Sequence, residues 1–233
     1  MQPLQIQLDQ SQREICIGQA QNQIQQIQTT KYEDEQIYKK ICKSKLGSVP
    51  ECKFKAINGS IQVSSTILKC FQAWIKFRAN VDQSSPKKLT ETTLYQKFFY
   101  FNKDDELNAN LALQGKEFKS FCFYFHSCSN TNSAIVSNRD FVATGYVNVG
   151  KDKVEVTMKS VPYEQLAQKS VRGTLLNMTL IFKQDGSNTL ISQYSLADPA
   201  GMIPAMIYNR ALDSRNDLLL LIKNHVEGTE IIE

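Results

Sequence analysis

Hydrophobic spacing along the chain is first helical, then two-residue, then helical again. Ser11-Gln-Arg-Glu14 has the spacing of a capping box, in which a hydroxyl caps the first turn and a glutamate three residues on returns the bond. Ile17, Ala20, Ile24 and Ile27 follow at helical intervals. Thr30-Lys-Tyr-Glu33 repeats the box, with Ile37 and Ile41 behind it. The pattern predicts a polar arm and then one or two helices up to about Lys45, ended by Gly47 and Pro50.

From Glu51 onward the period is two. Phe54 to Ile57, then Asn58-Gly59, then Ser60 to Val63 predict a hairpin, because Asn-Gly supplies the positive-φ positions of a type I′ turn. Phe71, Ala73, Ile75, Phe77 and Ala79 alternate with polar residues and with Trp74, which predicts a strand with one buried face. Ser85-Pro86 opens a short helix to about Gln96, with serine as cap and proline in the first turn. Asn102 to Asp105 reads as a turn within a mixed region. Phe121, Phe123 and Phe125 alternate again, and Ser127 to Ser137 is a polar loop. Strands are predicted over Phe141–Val149, Val154–Val161, Leu175–Lys183 and, after a turn at Asp185-Gly186, Thr189–Ala197. Pro204 begins a final amphipathic helix to about Val226, with Ile207, Ala211, Leu218 and Ile222 on one side. Consecutive strands joined by short turns imply an antiparallel sheet, and the terminal helix is the cover available for one of its faces. The expected class is α+β.

Composition narrows the function without naming it. The 233 residues are 42% hydrophobic, enough for one sizeable core. The 27 basic and 23 acidic side chains leave a net charge of +4 with the signs interspersed, unlike the concentrated positive charge of a nucleic-acid binder, so no nucleic-acid partner is expected. No apolar run approaches the roughly 18 residues that a membrane-spanning helix needs. The N-terminal stretch is glutamine-rich and lacks the cationic start and apolar core of a secretory signal. Six scattered cysteines without a Cys-x-x-Cys pair suggest reduced thiols, hence an intracellular, cytoplasmic location.

Catalytic motifs are missing. The chain carries no Gly-x-Ser-x-Gly elbow and no glycine-rich phosphate loop. Of two histidines, His126 ends an aromatic strand and is expected to be a satisfied structural residue. Cys122 and Cys128 flank it at a spacing unlike a metal site. Asp104, Asp105 and Glu106 read as a solvated loop. No catalytic residue, metal or cofactor is therefore expected, and the protein is not expected to be an enzyme.

A spaced series of short motifs is more informative. Val136-Ser-Asn-Arg-Asp-Phe-Val142 is followed by Lys159-Ser-Val161, Val171-Arg172, Asp198-Pro-Ala-Gly201 and Ile203-Pro204. In order and spacing, this series resembles the steroidogenic-acute-regulatory-related lipid transfer (START) domain over roughly Glu51 to Glu227. That resemblance implies a helix-grip fold, in which a curved antiparallel sheet wraps the long C-terminal helix around a tunnel for one lipid. The implied lining is Phe141, Ala143 and Gly145, then Val154, Val156 and Met158, then Leu176, Met178 and Leu180. Ile207, Ala211 and Leu218 join it from the lid helix. The Ser127–Ser137 loop corresponds to the family's mobile loop beside the tunnel mouth. Arg139 and Asp140 match the family pattern and are expected to pair or to cap the neighbouring loop, since buried charge is costly alone. Sterol-binding members carry an arginine six residues after the first, where this chain has Gly145, and an acidic partner near the place of His126. A large aromatic often precedes the lid helix, where this chain has Met202.

Two functions follow as expectations. One is a lipid-binding or lipid-transfer module that sequesters a sterol, phospholipid or other apolar chain and touches membranes transiently. The other is a non-catalytic structural subunit of a larger complex, mitochondrial or membrane-associated, that uses the fold as scaffold and meets protein partners through its arm. Residues 1–45 form the arm in this division, and 46–233 the lipid-binding domain.

Overall fold

The computed structural model describes residues 10–50, 52–79, 93–129, 137–162, 170–210 and 212–228. Helix α1 (Gln10–Thr29) is followed by β1 (Lys31–Tyr32), β2 (Gln36–Tyr38), β3 (Cys42–Ser48), β4 (Ala56–Val63) and α2 (Ile67–Arg78). Then come β5 (Thr93–Tyr100), α3 (Lys103–Leu113), β6 (Phe121–Ser129), β7 (Asn138–Val149), β8 (Lys153–Ser160), β9 (Ser170–Arg172), β10 (Thr174–Asp185) and β11 (Asn188–Asp198). The chain finishes with α4 (Ala205–Arg210), a 3-10 helix (Leu212–Asn216) and α5 (Asp217–Glu227).

The strands join in one curved sheet of order β1-β3-β4-β11-β10-β8-β7-β6-β5, with β2 paired to β3 and β9 to β7. Among the described residues only the β7–β9 pairing is parallel. Helices α2 and α5 pack together against the sheet's concave face. One core cluster joins Phe71, Trp74 and Ile75 of α2, Leu218, Leu219 and Ile222 of α5, and the inward side chains of the strands. This is the expected α+β helix-grip architecture.

Several local expectations are corrected. Residues 71–79 belong to a helix. Cys70, Phe71, Trp74, Ile75 and Phe77 form one buried helical stripe, and Thr66 caps its start by accepting the Lys69 N–H at 3.4 Å. Trp74, which alternation placed on the exposed side, is fully buried. Asn58-Gly59 is the middle of β4 and not a turn. Gly59 is there for close approach, since a Cβ would sit 1.9 Å from Asn216 Oδ1. The second capping box yields strands β1 and β2 instead of a helix, and the expected arm boundary at Lys45 falls inside β3, which pairs with β4. Asn102 to Asp105 is the start of α3, where Asn102 Oδ1 accepts the Asp105 N–H at 2.8 Å. Residues 93–96 of the expected Ser85–Gln96 helix lie in β5, and its earlier part lies outside the described residues. The terminal helix runs in three pieces, not one.

Helix α1 lies on the convex face of the sheet, against β6, β7, β8 and β10. Beneath it the outward residues are small and polar: Thr144, Thr157, Asn177 and Thr179, all buried. A glutamine-rich helix meets that surface by hydrogen bonds. Asn177 Nδ2 donates to Gln23 O and to Gln26 Oε1, both at 2.8 Å. At the end of α1, Thr30 and Tyr194 share a hydroxyl bond at 3.1 Å.

Candidate functional site

The pairing register sets out the concave face as rows. Ser195, Met178, Met158, Gly145 and Phe123 are successive partners across β11, β10, β8, β7 and β6. Gln193, Leu180, Val156, Val147 and Phe121 form the next row. Of the expected lining, Ala143, Val154, Val156, Met158, Met178, Leu180 and Leu218 come together in the core cluster, with Gly145 among them and Phe141 packed at its edge.

Two expected positions fall elsewhere, and a third cannot be placed. A bulge between Leu175 and Asn177 shifts the alternation, so Leu175 points into the core while Leu176 packs on the convex side near Tyr194 and Leu196. There Leu176 borders an open cleft of about 650 Å³ with Gln19, Gln23, Gln26 and Val49. Ile207 on α4 is 58% exposed, because α4 stands away from the core that α5 fills. Ala211 lies outside the described residues.

At Gly145 the interior is aromatic. A Cβ there would come within 2.2 Å of Phe123 Cζ, and Phe123 stacks on Phe98 at 4.3 Å between centroids and 16° between planes. Trp74 closes on the same stack, 5.9 Å from Phe98.

Polar groups enter this interior from positions that alternation alone assigned to no site. Arg78 lies one helical turn beyond Trp74 on α2. Its Nη1 donates to the buried Gln96 Oε1 at 3.1 Å, and its guanidinium lies 5.9 Å from the centre of the Phe125 ring. The Arg78 side chain is half-buried at the end of α2. Burial, and then the charge of Arg215, push its pKa down to about 10. Among the described residues no carboxylate pairs with it. Trp74 Nε1, Gln193 Oε1, Ser195 Oγ and Asn216 Oδ1 are also buried without a hydrogen-bonding partner among the described residues. Helical spacing would have set Arg78 on the same face as Trp74, but alternation read the segment as a strand, and nothing in the spacing marks the absent counter-charge.

The Arg139–Asp140 pair is structural. Asp140 Oδ1 accepts from Arg172 Nε at 2.8 Å, and its Oδ2 lies 3.1 Å from His126 Nε2. Tyr95 Oη lies 2.7 Å from His126 Nδ1. Arg139 caps carbonyls, reaching Ser137 O and, at 3.3 Å, Ala200 O. This cluster brings His126 and Asp140 together but no activated nucleophile. Burial, and then Asp140, push the nearby Cys128 up to about 11. Asp105 is buried, not solvated, and holds Arg13 in a two-pronged bond. No cluster of three or more histidine, cysteine or acidic residues suited to a metal occurs among the described residues. Nor is any described helix long and apolar enough to cross a membrane.

No protein-family model and no curated protein sequence matches the chain. Solved structures do. Human StAR-related lipid transfer protein 5 superposes with a TM-score of 0.67 at 12% identity, covering 93% of this chain and 98% of that one. Human STARD10 gives 0.60 at 11% identity, covering 97% and 83%. A StAR-related lipid transfer protein fragment from Xanthomonas axonopodis gives 0.58 at 14% identity, covering 84% and 98%. At these identities the likeness establishes the START fold.

Proposed function

We propose that the protein binds one hydrophobic lipid inside the curved sheet, with its polar end at Arg78. Ala143, Gly145, Val154, Val156, Met158, Met178, Leu180 and Leu218 would line the chain's path, and no other cofactor takes part. Sequestering an acyl or polyisoprenoid chain removes apolar surface from water at about 25 cal/mol per Å². The observation that carries the reading is Arg78. Among the described residues the half-buried guanidinium is met by a neutral amide and a ring and by no carboxylate, an arrangement that is costly, and an anionic head group would supply a counter-charge. The likeness to lipid-transfer structures supports the same reading. The enclosed His126–Asp140 pair, without an activated nucleophile, gives hydrolytic chemistry no support.

Mass spectrometry of lipids retained by the natively isolated protein tests this. The expected result is a lipid with a carboxylate or phosphate head, held by the wild type and lost from Arg78→Met while the variant stays folded. A wild-type protein that neither retains lipid nor takes it up from vesicles would overturn the reading.

A second reading, a subunit that uses the fold as scaffold, draws on the sheet edge. Ile37 and Ile41, in β2 and just after it, are at least half exposed beside that edge. Partner burial of those isoleucines would show as loss of co-sedimentation with an assembly in an Ile37→Asp, Ile41→Asp variant. Helix α1, by contrast, is covered by this chain's own sheet.

A further inference from the structure

The hairpin of β2 and β3 closes through a strained turn. Tyr38 and Cys42 are its last paired residues, and the Ile41 N–H donates to Tyr38 O at 3.3 Å. The two residues spanned by that bond, Lys39 and Lys40, have φ of 44° and 66°. In a hairpin turn of this kind asparagine and glycine are the low-energy occupants, because both central residues take left-handed backbone. A lysine there stores strain, and here two stand in succession.

Aliphatic and cationic side chains surround the turn. Ile37 is 58% exposed and Ile41 50%, one on each side of the two lysines. Across the hairpin Ile37 is the partner of the exposed Lys43. Lys40 is exposed and has no ion-pair partner among the described residues. Lys39 lies 3.2 Å from Asp217, and Lys43 and Lys45 each lie 3.3 Å from Glu35. Those pairs are open to water and hold the lysines only weakly. The tip itself is seated firmly. Tyr38 Oη donates to Asp217 Oδ1 at 2.8 Å, and Ser44 Oγ to Asp213 Oδ1 at 2.9 Å, which sets the hairpin against the 3-10 helix and the start of α5.

We infer that the β2–β3 tip docks on an anionic lipid surface, with Ile37 and Ile41 entering the headgroup region and Lys39, Lys40 and Lys43 meeting the negative charge around them. The inference is independent of what the concave face binds.

Three observations select this occupant. Exposed isoleucines ringed by lysines have the make-up of an interfacial segment, in which aliphatic groups bury and long cationic side chains stay with the headgroups. Protein interfaces favour arginine and aromatic residues and are depleted of lysine. The one aromatic ring in the hairpin's end, Tyr38, has its hydroxyl committed to Asp217. Lysines that only guarded a free sheet edge would stand on the edge strand, yet β2 consists of Gln36, Ile37 and Tyr38 and carries no charge. The charge sits in the turn and on β3, and in the turn it is kept at the expense of backbone strain. The same isoleucines serve the scaffold reading, and vesicles separate the two.

The test floats the full chain with vesicles of phosphatidylcholine alone and with about a third phosphatidylserine. Binding is expected to be at least tenfold stronger to the anionic vesicles and to weaken as salt rises. Lys39→Asn with Lys40→Gly gives the turn its preferred residues. That variant should melt no lower than the wild type, yet bind anionic vesicles at least tenfold more weakly. Ile37→Ser with Ile41→Ser changes only exposed side chains and should weaken binding to a similar degree. A wild type that stays off both kinds of vesicle, or binds both alike, would overturn the inference. So would undiminished binding by either double variant.

Discussion

The ring of Phe123 lies across Gly145, so close that a single added carbon would stand 2.2 Å from its Cζ. The absence of a side chain at 145 is what admits the Phe123–Phe98 stack, and it makes the interior apolar at that depth. Gly145→Ala is expected to destabilise the protein by about 1–3 kcal/mol through overpacking. Urea denaturation measures it. A second substitution, Phe123→Leu, should recover part of the loss, and an unchanged midpoint in Gly145→Ala would refute the steric account.

Arg78→Met should raise the melting temperature of the lipid-free protein, because it removes a guanidinium that has no counter-charge among the described residues. The same variant should bind long-chain carboxylates at least tenfold more weakly, read by displacement of a fluorescent fatty acid. A lower melting temperature with unchanged binding would place Arg78 among purely structural residues.

Asn177 is fully buried and carries two bonds to α1 through one amide nitrogen. Asn177→Leu leaves Gln23 O and the Gln26 side chain without that donor, at an expected cost of about 1–3 kcal/mol. Hydrogen exchange should quicken in α1 before it does in β10. Uniform quickening across the sheet would mean that Asn177 holds the sheet and not the helix.

Glu227 sets an acid limb on stability. Its Oε1 accepts from the Ser64 N–H and from Lys223 Nζ, both at 2.7 Å, tying the end of α5 to the loop after β4. Burial works to raise its pKa, but the bonds from Lys223 and Ser64 outweigh it, and the net shift is downward. A depressed folded pKa gives stability that is present above the ordinary carboxyl value of 4.5 and is lost as pH falls through the folded one. Glu227→Gln should therefore destabilise at neutral pH by no more than about 1 kcal/mol, and the two proteins should converge in strong acid. A difference that persists unchanged into acid would contradict the linkage.

Local pattern determined strands β6, β7, β8, β10 and β11, the Asp185-Gly186 turn, and the order of motifs that carries the fold resemblance, but not the short β9. One face of those strands meets the apolar core and the other carries polar residues, several of them buried under α1, and a two-residue period records that difference in polarity directly. It determined less where residues serve two surfaces. Residues 71–79 alternate, yet Trp74 and Ile75 are both buried because α2 lies between α5 and the sheet. Which period applied was a matter of what covered each side. Asn58-Gly59 has the chemistry of a turn, but Asn216 needed bare backbone beneath it. One bulge moved Leu176 off the lining. Which surface α1 docks on was also illegible, because the sparse stripe of Ile17, Ala20, Ile24 and Ile27 does not mark it and the hold runs through polar bonds to Asn177 and Asp105 and, at the end of the helix, between Thr30 and Tyr194. The same holds for Arg78, which is marked by the carboxylate missing beside it among the described residues. A missing partner is a property of packing in three dimensions, and no spacing along the chain encodes it.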